Sequence, residues 1–145
     1  MAFRSLLVAS VCAAAFLTAN PQQASANYYT AYVYYPSSDY YYSYYYYKPT
    51  PTYTGYRSHH CYYYPSYSTQ YVYYYNPYRR VFWGRYDLTN KGYSLLAEKD
   101  RKGTLQEIPD AAFPKPGEMP EIPDAEGVKD RMASPPAPPT DKNKG

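Results

Sequence analysis

Between Asn27 and Tyr78 the chain carries 23 tyrosines and only three aliphatic side chains, Ala31, Val33 and Val72. A core needs side chains that give up water completely, and every buried tyrosine must find a partner for its hydroxyl. Such a segment cannot bury all of its rings, so most are expected to be exposed or half-covered. Tyrosine favours extended backbone. Yet in Tyr40 to Tyr47 and Tyr62 to Tyr64 successive rings fall on both faces of a strand, which specifies register weakly. Pro36, Pro49, Pro51, Gly55 and Pro65 cut the tract into short pieces. Residues 27–69 therefore read as low-complexity sequence, disordered, adhesive and inclined to β pairing.

The residues ahead of this tract have the layout of a secretory signal peptide. Arg4 is the only charge among residues 1–26, Leu6 to Leu17 is apolar, and Ala24-Ser25-Ala26 offers small side chains at both positions that the peptidase inspects. Cleavage is expected before Asn27, with Ala24 and Ala26 as the recognition residues. The product is expected to be exported to the periplasm, the cell surface or the medium. No later stretch approaches the 18 or more apolar residues of a span, so no membrane span is expected after cleavage. Losing Arg4 leaves 14 Lys and Arg against 12 Asp and Glu, too even a balance to imply nucleic acid or anionic lipid as a partner. Cys12 leaves with the leader. Cys61 is then the single cysteine, which excludes an intramolecular disulfide and leaves an intermolecular bridge or a free thiol.

Folding signals concentrate in residues 70–108, which predict a small all-β antiparallel meander of three to four strands. Tyr71 to Tyr75 is the first, ending in the turn pair Asn76-Pro77. Arg80 to Leu88 is the second, Tyr93 to Glu98 the third and Thr104 to Ile108 a fourth. A four-residue loop at Thr89 to Gly92, with Gly92 as its left-handed residue, pairs Leu88 with Tyr93 and Tyr86 with Leu95. Phe82, Gly84, Tyr86 and Leu88 then share one face with Tyr93 and Leu95. Trp83 and Arg85 go to the other. A meander of about 40 residues is marginal on its own. Residues 109–145 hold nine of the 15 prolines and many charges, and read as a disordered, extended tail. Within it Glu121-Ile122-Pro123-Asp124-Ala125 repeats Glu107-Ile108-Pro109-Asp110-Ala111. Such a repeat is either a docking motif in two copies or a chance duplication in simple sequence.

Chemistry-bearing residues are few. His59, His60 and Cys61 are adjacent, but on an extended chain only His59 and Cys61 point the same way, and no further soft ligand exists to complete a metal site. Ser58, His59 and Asp39 lie in the low-complexity zone, without a shell that could hold catalytic geometry. No catalytic, metal or cofactor site is expected. Arg80, Phe82, Trp83, Arg85 and Tyr86 interleave cations with aromatics, either as a ligand-facing strip or as the glue of their own sheet. The run from Val81-Phe82-Trp83-Gly84-Arg85-Tyr86-Asp87 through Gly92-Tyr93-Ser94-Leu95-Leu96-Ala97-Glu98-Lys99-Asp100-Arg101-Lys102-Gly103 resembles a segment of small exported tyrosine-rich bacterial proteins of unknown function. That resemblance implies a bacterial source and no particular chemistry. The chain is thus expected to be a non-enzymatic structural or adhesive protein of the bacterial envelope or extracellular matrix, self-associating or contacting a wall or matrix component through multivalent tyrosine contacts. The alternative is a cell-wall binding module that recognises glycan or peptide through the strip around Trp83.

Overall fold

Every strand of the fold follows its predecessor in space as in sequence. The computed structural model describes residues 28–140, so the leader, with Ala24 and Ala26, lies outside the described residues. β1 (Val33–Tyr35), β2 (Tyr40–Tyr47), β3 (Arg57–Tyr63), β4 (Tyr71–Asn76), β5 (Val81–Asp87) and β6 (Gly92–Leu95) form one antiparallel sheet in chain order. Three single turns of 3-10 helix follow, at Glu98–Asp100, Leu105–Glu107 and Asp110–Ala112. The expected meander is therefore only half of the sheet. Its fourth strand is corrected to a 3-10 turn, and the tyrosine tract supplies three further strands in place of disorder.

Alternation explains how so many tyrosines fold. Tyr41, Ser43, Tyr45 and Tyr47 of β2 are buried, opposite Tyr63, Cys61 and His59 of β3, and Cys61 in turn faces Tyr74 of β4. These residues make the front face, completed by Val72, Trp83, Tyr86 and Tyr93. Tyr40, Tyr42, Tyr44, His60, Tyr62, Tyr73 and Tyr75 fall on the back face. The tyrosine tract brings one buried aliphatic partner of its own, Val72, and the far end of the chain provides more. Met119, Ile122, Ala125, Val128, Met132 and Ala133 of the proline-rich tail pack on the front face. Leu105, Ile108, Ala112 and Phe113 pack on the back face over β4 to β6. The tail also accepts two of the tyrosine hydroxyls. Proline lacks an N–H and extended backbone leaves its carbonyls unpaired. Tyr29 Oη donates to the Ala133 carbonyl at 2.6 Å and Tyr32 Oη to that of Pro136 at 3.0 Å. The expectation of a disordered tail overlooked this complementarity between a phenol-rich sheet and a carbonyl-rich strap.

The β5–β6 hairpin keeps the expected faces but shifts by two residues: Tyr86 faces Tyr93, Gly84 faces Leu95, and Asp87 closes on Gly92. Lys91, at φ 57°, is the left-handed residue, not Gly92. Gly92 is needed for space, since a Cβ there would meet Pro116 Cβ at 2.7 Å. Trp83 also moves from its expected place. The β4–β5 register slips between Tyr74, opposite Gly84, and Tyr75, opposite Phe82, leaving Trp83 as the extra residue of a bulge. Its indole joins the front-face core while Phe82 goes to the back.

Candidate functional site

The half of the back face that the 3-10 segment leaves uncovered is paved with rings. Along β2, Tyr40, Tyr42, Tyr44 and Tyr46 are two residues apart, and their neighbouring centroids lie 6.3, 5.8 and 6.5 Å from one another. Tyr35 of β1 stacks on Tyr40 at 5.4 Å, and His60 of β3 meets Tyr44 edge-on at 4.9 Å. Tyr62 joins Tyr40 at 5.6 Å and Tyr64 at 6.0 Å. The sheet fixes these spacings, because side chains on one face recur every second residue and every neighbouring strand. A shallow hollow of about 260 Å³ opens between Tyr35, Tyr42, Tyr44 and His60.

Electrostatics keep this surface neutral. Burial lowers the pKa of His60, whose Nδ1 lies 3.1 Å from Tyr62 Oη. Burial, with the neighbouring phenols, pushes Tyr62 up to about 12, and raises Tyr40 as well. An uncharged patch of phenols and imidazole suits ring stacking, hydrogen bonding and cation capture rather than proton transfer.

The residues singled out from sequence take other places. Of the aromatic and arginine strip, only Arg80 is exposed, in the β4–β5 turn at φ 57°. Trp83 is 1% exposed, wedged edge-on against His59 at 5.3 Å and Tyr74 at 5.4 Å. Arg85 is buried on the back face, its guanidinium 3.7 Å from the Tyr71 ring centroid and 4.0 Å from that of Phe113, and it donates to Asp110 at 2.6 Å. Phe82 and Tyr86 are buried on opposite faces. Four of the five strip residues are thus packed within their own sheet, and Arg80 alone faces outward.

Cys61 is likewise enclosed, at 0% exposure, opposite Ser43. Burial raises its thiol pKa far above the ordinary value, so an intermolecular disulfide through it requires the sheet to open. His59 does share the front face with Cys61, and burial lowers its pKa to about 4 despite the counteracting charge of Asp124. Among the described residues no group of three or more His, Cys, Asp or Glu is placed to hold a metal ion. No helix among them is long and apolar enough to cross a membrane. The tyrosine array itself was visible in sequence as density of rings. The face to which each ring belongs was not, because the tract alternates tyrosine with tyrosine. Comparison with protein-family models, curated proteins and solved structures finds no match.

Proposed function

We propose that this chain is a non-enzymatic structural or adhesive protein of the bacterial envelope or extracellular matrix that works through many weak tyrosine contacts, self-association among them. The observation that carries this reading is the ring array on the open half of the back face. Rings held at fixed spacing offer several simultaneous contacts, and such contacts add by multivalency. A sheet-borne array is also pre-organised, so docking costs less side-chain entropy than it would for a flexible tract. The low net charge does little to hold copies apart. The leader layout supports export, and the enclosure of His59 and Cys61, the imidazole kept neutral and the thiol protonated, supports a non-catalytic role.

Sedimentation across a concentration series tests the reading. The mature chain is expected to associate, and the triple substitution Tyr42→Ser, Tyr44→Ser, Tyr62→Ser to abolish association while leaving near-ultraviolet circular dichroism native-like. A parent that stays monomeric throughout, or a variant that associates equally well, sinks the adhesive reading.

A further inference from the structure

We propose that the cleft between the end of β2, the β2–β3 loop and residues 127–131 of the tail binds a carboxylated sugar, a uronic-acid residue of a polysaccharide. The cleft encloses about 610 Å³, within the range of roughly 300–1,000 Å³ typical of small-ligand sites. It shares Tyr46 with the end of the back-face array but lies apart from that array's hollow, and it does not rest on self-association.

Its walls combine rings with uncommitted cations. Tyr28, Tyr46 and Tyr56 line it and are 49%, 42% and 66% exposed. Exposed phenols offer flat faces to the C–H faces of a pyranose and hydroxyls to its hydroxyl groups. Lys48 lies on the loop side, its Nζ 5.6 Å from the Tyr56 ring centroid, and Lys129 lies on the tail side. Neither lysine has a carboxylate partner among the described residues. Arg131 is already engaged, by Glu118 at 3.1 Å and the Met119 carbonyl at 2.9 Å. Asp130 is the remaining acid in the lining, an acceptor for sugar hydroxyls. The charge left unanswered is therefore positive.

The cleft is built rather than incidental. The amide of Glu126 donates to the Pro49 carbonyl at 2.8 Å, and Gly127 turns the tail in the left-handed conformation at φ 70°, where an added Cβ would lie 3.6 Å from Pro51 Cδ. Met132 anchors the other end, buried in the front core with its amide donating to the Pro120 carbonyl at 2.9 Å. Tyr47, which also lines the cleft, is buried with a hydroxyl that has no hydrogen-bond partner. Two separated lysines without a nest of backbone amides hold a bare anion weakly, while the phenol faces ask for a ring. A sugar carrying a carboxylate answers both.

Calorimetric titration of the full mature chain with a galacturonic-acid trimer tests this, against the methyl-esterified trimer and inorganic phosphate. The free-acid trimer is expected to bind more weakly as salt rises, and the ester about fivefold more weakly, the worth of a partly exposed charge pair. Phosphate at equal concentration is expected not to displace the trimer. Lys129→Gln should weaken binding about threefold and Tyr56→Ser about fivefold. The array variant Tyr42→Ser, Tyr44→Ser should bind as the parent does, even where it no longer self-associates. No heat or shift with the trimer at millimolar concentration, equal affinity for the ester, full displacement by phosphate, or an array variant that loses as much as Tyr56→Ser would each overturn the assignment.

Discussion

Asp87 ends β5 buried on the back face, a costly place for a carboxylate unless donors surround it. They do. Oδ1 accepts the amides of Thr89 and Asn90, each at 2.9 Å, and Oδ2 accepts the side chains of Asn90 at 2.8 Å and Gln70 at 3.1 Å. Desolvation alone would raise its pKa, but these hydrogen bonds outweigh it and hold the carboxyl below its ordinary value. Asp87→Ala orphans the loop amides and is expected to cost about 2 kcal/mol, measured by urea unfolding. An unchanged midpoint would show that the loop needs no such cap. His59 titrates with the opposite consequence. Its imidazole, ordinarily near 6.5, protonates in the folded state only near 4. Between those values the unfolded chain binds more protons than the folded one, so this contribution to stability falls as pH drops from 6.5 to 4 and is flat below. The full loss is about 3 kcal/mol. His59→Phe keeps the ring contacts with Trp83 and Tyr47 and removes the proton site. Comparing unfolding at pH 7 and 4.5 should show a smaller acid loss in the variant than in the parent. Gly84 is required on steric grounds, because a Cβ there would overlap the buried phenol of Tyr93, which Trp83 and Tyr74 hold at 5.3 and 5.1 Å. Gly84→Ala should therefore destabilise by about 2 kcal/mol through overpacking, measured by the same unfolding curves.

Elements show what was legible and what was not. β4, β5 and β6 appear within a few residues of their expected positions because aliphatic residues, placed turns and Asn76-Pro77 mark them; Asn76 Oδ1 does accept the turn amide of Tyr78 at 3.0 Å. β2 was hidden by its own uniformity. When seven of eight residues are tyrosine, no hydropathy contrast distinguishes Tyr41 and Tyr45, which are buried, from Tyr42 and Tyr44, which are not. The bulge at Trp83 was hidden because periodicity of two assigns it to the face of Arg85. The repeated pentapeptide was visible, and its reason lies in the fold. Each copy drives an isoleucine into one face of the sheet, Ile108 at the back and Ile122 at the front. Each also sends an aspartate to an arginine of the β4–β5 hairpin, Asp110 to Arg85 and Asp124 to Arg79, both at 2.6 Å. Asp124 reaches Asn76 as well. The two copies are matching clamps on opposite faces. Ile108→Ala and Ile122→Ala should each cost about 3 kcal/mol. A copy whose truncation costs nothing measurable would be no clamp.

At the scale of the whole molecule, the sheet has two differently protected edges and one borrowed wall. β6 is covered, since Tyr93 exchanges backbone hydrogen bonds with Gly117 at 2.8 and 2.9 Å. β1 is a short edge of three residues with Val33 and Tyr35 exposed. From Gly117 the tail crosses the front face, contributing Ile122 and Met132 to the core before its carbonyls at Ala133 and Pro136 accept the hydroxyls of Tyr29 and Tyr32. Without it, Tyr29, Tyr41, Tyr45 and Trp83 would face water, and the donors they bury would have to find solvent. The front core is thus built from two distant parts of the sequence: a tract with many phenols and Val72 as its one buried aliphatic, and a tail with aliphatics and carbonyls but no periodicity. Ending the chain after Pro116 should therefore remove more than a loose end. Such a truncation is expected to lose cooperative thermal unfolding and near-ultraviolet dichroism and to bind a hydrophobic dye, as a sheet with one bare aromatic face would. A synthetic peptide of residues 117–140, added in excess, should restore part of the dichroism, because the strap is joined to the sheet by contacts and not by a shared strand. A truncated chain that melts cooperatively at the parent's temperature, with no added dye binding, would show that the tyrosine sheet carries its own core and that the tail merely lies on it.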